Sequence, residues 1–146
     1  MTSALDEYML LLQFGPAVLK SVAVLVIDLA DPLMTIVWSS RLFNEMFGYD
    51  EAELKGQPLN VLLLPKDQEK HLRYFSQYQK NPTSRTMNAG IWVDGMKKDG
   101  TEIKLQVSLC PAAVGRLDMV IAYVVDVTKA YNHLSPKVQQ QFVGIH

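Results

Sequence analysis

The sequence predicts an α+β fold: a five-stranded antiparallel sheet with small helices crossing one face and a further helix ahead of the first strand. Three observations lead there. A β-branched run, SVAVLVIDL, is followed across Asp31-Pro32 by a second extended segment, MTIVWSS. Short apolar stripes broken by Gly, Asn and Pro occupy residues 40 to 82. Beyond them the chain turns extended again, with strict alternation in EIKLQVSL after a tight Asp99-Gly100 turn and a last apolar run in DMVIAYVVDVT.

At 146 residues the chain has the length of one domain with one sizeable core. Its organisation reads as an N-terminal helical segment over 1–20, a compact domain over 21–129 and a C-terminal tail over 130–146. The formal net charge is −1 with the two signs interspersed, so no field favours nucleic acid or an acidic membrane surface. The apolar runs are about half the length needed to cross a bilayer, so no membrane insertion is expected. Acids stand where a secretory signal carries positive charge, in MTSALDEYMLLLQF, so this segment is expected to be retained. Cys110 is the single cysteine, which rules out an intrachain disulfide and fits a reducing, cytoplasmic setting.

Along the chain, Leu5, Met9 and Leu12 share a helical stripe, widened by Tyr8 and Leu11, before Gly15-Pro16 interrupts it. So short a helix needs something to pack on: the sheet, a second copy of the chain, or both. Residues 21–29 and MTIVWSS should form a hairpin. SSRLFNEMFGYD opens with a serine cap, brings Leu42, Phe43, Met46 and Phe47 to one core and stops at Gly48. An acidic-led turn up to Gly56 follows. In PKDQEKHLRYFSQY the aspartate, Asp67, is placed to cap a helix, with His71, Leu72, Phe75 and Tyr78 on one side and an end near Asn81-Pro82. In the hairpin around Asp99-Gly100, Ile103, Leu105, Val107 and Leu109 alternate with Glu102, Lys104, Gln106 and Ser108, giving a strand with one wet face. Pro111 and Gly115 separate it from the final strand, which is apolar on both faces and so expected to be central. The tail is weakly helical and broken at Pro136. Such a sheet and its helices form a cup with room for a ligand.

The run LFNEMFGYDEAELKGQPLNVLLLP, then MKKDGTEIKLQVSLCP, then YVVDVT, resembles the PAS sensory family in motif order over residues 21–129. The resemblance implies the sheet and cup described above, a sensory or protein-pairing role, and dimerisation through the helix preceding the first strand, where residues 3–14 lie. Within the family the likeness is greatest to the haem-binding oxygen-sensor domains of rhizobial kinases. Their axial histidine lies in the longest helix, and His71 occupies that place. The arginine used on their ligand side falls at Ile91, in NAGIW, so a haem here would lack that charged donor. The reactive cysteine of flavin photosensors falls at Leu59, which removes flavin-adduct chemistry but not non-covalent flavin binding.

The candidate cofactor-binding set is His71, Phe75, Tyr78, Leu62, Leu64, Ile91, Leu105, Val107, Ile121 and Tyr123, with His71 as the one metal ligand through a neutral imidazole nitrogen. Core packing is the default role of the apolar members. Asp126 and Thr128 resemble the Asp-x-Thr that closes many PAS sheets, and their chemistry suits capping the strand exit. Cys110 reads as a small side chain at a strand end rather than a redox sensor. No nucleophile elbow, P-loop, dinucleotide fingerprint or zinc-protease helix is present, so no enzyme activity is expected. The expected function is a signal-sensing and dimerising module governed by an internal small ligand, with haem the leading named cofactor. The alternative is a cofactor-free interaction domain whose cup is filled by its own side chains. Partners are a second copy, through residues 3–14 and the sheet surface, and an unidentified downstream signalling protein.

Overall fold

The computed structural model describes residues 22–82, 85–86, 93–114 and 117–140. The helix expected over residues 3–14, Ile91 and the last six residues lie outside that set.

β1 (Ala23–Asp28) and β2 (Ile36–Ser39) form the expected hairpin. Asp28 and Asp31 shape its turn by accepting from the backbone N–H groups of Ala30 and Leu33, each at 2.9 Å. Serine then starts α1 (Arg41–Phe47): Ser40 Oγ accepts from Phe43 N at 3.2 Å and from Val24 N at 3.0 Å, tying the helix start to β1. Gly48 ends α1 at φ 81°, its N–H donating to Asn44 O at 2.8 Å.

A single turn, α2 (Glu51–Leu54), and two 3₁₀ turns, Leu59–Leu62 and Pro65–Asp67, lead into α3 (Gln68–Lys80). Residues 56–59 run beside β2: Ile36 N donates to Gln57 O at 2.8 Å, Gly56 N to Ile36 O at 2.9 Å and Leu59 N to Met34 O at 3.1 Å. Asp67 does not cap α3 as expected. Its backbone is already helical, at φ −101° and ψ −10°, because the preceding 3₁₀ turn delivers the chain in that state, and no side-chain cap bond forms.

β3 (Arg85–Thr86) and β4 (Val93–Met96) are two short pieces on the same edge of β5 (Glu102–Val114), which pairs along its other edge with β6 (Leu117–Asp126). The order β2-β1-β6-β5-β3 gives five antiparallel positions with β6 central, as its apolar composition predicts. Cys110 and Pro111 are not at a strand end: β5 continues through both to Val114. Pro111 is tolerated because it pairs with Val120 of β6 while β3 and β4 engage β5 only at other residues. Two short helices follow, α4 (Thr128–Asn132) and α5 (Pro136–Gln139), the second started by Ser135 with Pro136 at its first position. At the strand exit Asp126 Oδ1 accepts from Thr128 N at 2.9 Å, and Thr128 Oγ1 accepts from Lys104 N at 3.0 Å.

Strand alternation divides the apolar residues into two clusters. Ala23, Leu25 and Ile27 of β1 join Val120, Ala122 and Val124 of β6, Phe43 and Phe47 of α1, Leu54, Ile103 and Leu105 in the main core. Val24, Val26, Trp38, Met119 and Ile121 form the second on the other face, with Tyr123 against it.

Candidate functional site

α3 approaches the sheet with two buried side chains, Phe75 and Tyr78, and a chamber of about 140 Å³ remains between it and the strands. Its floor is Leu25, Ile27, Val120, Ala122 and Val124; its far wall is Val93, Gly95, Leu105, Val107 and Leu109. Phe43, Phe47, Leu59, Leu62 and Leu63 close one end. Asp67, Lys70, His71, Tyr74, Phe75 and Tyr78 supply the helical wall, and Asp94 stands beside them from β4. Gly95 sets how near β4 lies: a Cβ there would come within 2.9 Å of Leu105 Cδ1, 3.2 Å of Ile103 Cγ2 and 3.3 Å of the Phe47 ring.

Of the residues picked from sequence, His71, Phe75, Tyr78, Leu62, Leu105 and Val107 meet in this chamber. Leu64 is buried but does not line it. Ile121 and Tyr123 belong on the opposite face of β6, a correction of one residue in phase: the cross-strand partner of Val107 is Val124 and that of Leu109 is Ala122, so even-numbered β6 residues face the cup. Leu72 is likewise misplaced, 49% exposed, because the inward stripe runs Asp67, His71, Tyr74, Phe75, Tyr78. Sequence reasoning missed Asp67, Lys70, Tyr74, Asp94 and Gly95 as wall residues. The three- and four-residue steps from Asp67 carried the signal for the first three.

Charge collects at one rim. Asp94, with its side chain 13% exposed, pairs with Lys104 Nζ and lies 3.7 Å from Lys66 Nζ, the lysine just ahead of α3. Lys104 Nζ is 3.6 Å from Glu102 and 4.7 Å from the centre of the Tyr131 ring on α4. Burial draws the Lys104 ammonium pKa down, and the bond to Asp94 with the charges of Asp94 and Glu102 outweighs it, leaving the group raised above 10.5. On the opposite face burial, reinforced by Cys110, pushes the Tyr123 phenol up to about 12.

The PAS domain family model matches residues 21–129. This chain is a member of the PAS family. It is 29% identical over 90 residues to the sensor protein FixL of Bradyrhizobium diazoefficiens, a match covering 62% of this chain and 18% of that protein. An RNA-binding light-oxygen-voltage receptor superposes with a TM-score of 0.66 at 24% identity, over 83% of this chain and 33% of that one. A PAS domain from Colwellia psychrerythraea gives 0.65 at 20% identity, over 82% and 98%, and that of the fruit-fly ELK potassium channel 0.62 at 17%, over 82% and 95%. The structural likenesses establish the fold, and the chain spans about a fifth of its curated relative and a third of the light-oxygen-voltage receptor. Among the described residues no helix is long and apolar enough to cross a membrane.

A haem meets one suitable donor here, the imidazole on the α3 wall, but not enough room. The chamber of about 140 Å³ falls below the roughly 300–1,000 Å³ of pockets that hold cofactor-sized ligands. A flavin meets the same limit. With α3 in this position the space suits a ligand nearer the size of benzene, which occupies an apolar cavity of roughly 150 Å³.

Proposed function

We propose that this PAS domain senses a small, largely apolar ligand held between α3 and the sheet. One observation carries the reading: the wall is aliphatic and aromatic apart from Asp67, Lys70 and His71 on the α3 side and Asp94 of β4 beside them. Apolar burial supplies affinity and the few polar groups supply selection. A ligand acts by favouring one arrangement of the domain, so it must bind the two arrangements unequally.

Native mass spectrometry of gently purified protein, with an absorption spectrum of the same sample, tests this. A retained mass that is lost on Val107→Trp, which fills the chamber, supports the reading. Protein at the bare polypeptide mass that takes up no small aromatic or aliphatic probe overturns it and leaves the cofactor-free interaction domain. Haem is the second reading, favoured by the position of His71 on the wall, and requires α3 to stand further from the sheet. A Soret band after reconstitution, shifted in His71→Ala, is its signature; no band in reconstituted protein excludes it.

The module is further proposed to pair with a second copy through residues 3–14 and the sheet face opposite the chamber, and to act on a downstream signalling protein. The support is Val125, 51% exposed on that face, since Val24, Val26, Trp38, Met119 and Ile121 there are already buried within the chain. Sedimentation should show a dimer that dissociates on deletion of residues 1–14. A monomer in both forms defeats the pairing.

A further inference from the structure

The rim charges join the chamber to the end of the domain. Asp94 lines the chamber and accepts from Lys104, whose ammonium also sits over the Tyr131 ring at 4.7 Å. The backbone of the same lysine holds the first residues beyond the sheet: Val127 N donates to Lys104 O at 2.8 Å, and Lys104 N donates to Thr128 Oγ1 at 3.0 Å. Tyr131 in turn anchors α5, its carbonyl accepting from Gln139 Nε2 at 2.9 Å. Lys66, at 3.7 Å, brings the entry to α3 onto the same carboxylate.

We propose that Lys104 couples the chamber to the C-terminal helices, its ammonium shared between Asp94 on the chamber wall and the Tyr131 ring, so that a change at the wall alters how residues 128–139 dock. Two features make the coupling physical. The Lys104 and Asp94 side chains are only 16% and 13% exposed, so their interaction is screened far less than a surface ion pair. A single ammonium also cannot follow a displaced carboxylate and keep its place over the ring, and a cation over an aromatic face loses its attraction beyond about 6 Å. Movement of β4 reaches Asp94 directly, and Lys66, 59% exposed, adds a weaker link from the turn that precedes α3. The proposal rests on the chamber being the sensory site only for its biological meaning, because the mechanical link is testable without any ligand.

The test is hydrogen exchange by mass spectrometry on the full chain in wild-type, Lys104→Met and Tyr131→Leu backgrounds, each with and without Val107→Phe. The phenylalanine puts a ring into the chamber from β5, and methionine keeps the apolar stem of Lys104 without its charge. Val107→Phe in the wild-type background should change exchange over 128–139 by roughly three- to tenfold. In the other two backgrounds the change over 128–139 should vanish while the change in α3 persists. An equal response of 128–139 in all three backgrounds, or no response in the wild-type background, overturns the coupling. Tyr131→Leu changes a residue outside the sheet and keeps the test open should Lys104→Met fold poorly. Indole added to wild-type protein forms a separate arm: failure to alter exchange in α3 counts against the ligand reading, while the Val107→Phe result still decides the coupling.

Discussion

Two helices lie on the same face of the sheet and differ in almost every respect. α1 is seven residues long, held at its start by Ser40 and at its end by Gly48, and it buries Phe43, Asn44 and Phe47. Phe43 and Phe47 stack at 4.4 Å, and each is 1% exposed. α3 is 13 residues long, lacks a side-chain cap and buries only Phe75 and Tyr78. Length does not decide which helix is better fixed; the number of side chains driven into the sheet and the satisfaction of the ends do. α1 should therefore be the firmer end wall, and α3 the side of the cup that yields to the proposed ligand.

Aromatic truncation gives the largest test of that contrast. Phe43→Ala should cost about 3–5 kcal/mol in urea unfolding. Phe75→Ala should cost less than about 3 kcal/mol, because Phe75 is 7% exposed on a helix without a side-chain cap, whereas Phe43 is 1% exposed and stacked on Phe47. Equal losses would mean that α3 is held as firmly as α1. Next in size, Gly95→Ala forces a methyl into Leu105, Ile103 and Phe47 where α1 meets the far wall, and about 1–3 kcal/mol should be lost. An unchanged midpoint would show that β4 moves as easily as α3.

The helix starts give a finer contrast. Ser40→Ala removes the acceptor of two backbone N–H groups and should cost about 1–2 kcal/mol. Asp67→Ala at the start of α3 removes no cap, and one carboxylate oxygen there is buried without a hydrogen-bond partner, so stability should hold within about 0.5 kcal/mol or rise. A loss matching that of Ser40→Ala would restore the capping role. The smallest effect concerns α2. Its Glu53 carboxyl is held below the ordinary 4.5 first by the hydrogen bond from Lys98, then by that from the Asp50 backbone. A depressed carboxyl contributes stability above its unfolded pKa and loses it as pH falls through the folded one, so Glu53→Gln should flatten the acid limb below about pH 4.5. An identical limb in both proteins would assign the acid sensitivity elsewhere.

The same contrast explains what the chain's letters disclose. α1 and the hairpin before it are legible because local chemistry and burial agree: SSRLFNEMFG carries its cap, its apolar side and its stop, and the structure uses each of them. The alternation of β5 is legible for a similar reason, since one of its faces is wet. β6 has apolar residues on both faces, so alternation has no sign, and only the pairing register with β5 shows that Val120, Ala122 and Val124, rather than Ile121 and Tyr123, face the cup. That register depends on β5 running through Pro111, which the proline concealed. α3 is legible as a helix but less so in its facing, because a helix over a chamber buries few apolar side chains and its polar wall residues resemble a solvated side. His71 was found there; Asp67, Lys70 and Tyr74 were not.

The segment 56–59 that runs alongside β2 has a further consequence. By occupying the N–H and C=O of Ile36 and the carbonyl of Met34, it blocks the place where a foreign strand would otherwise add to that margin. Growth by strand addition, the usual route from an open margin to fibrils, is thereby hindered where β2 begins, and copies that meet there must do so without sharing a ladder through Met34 and Ile36.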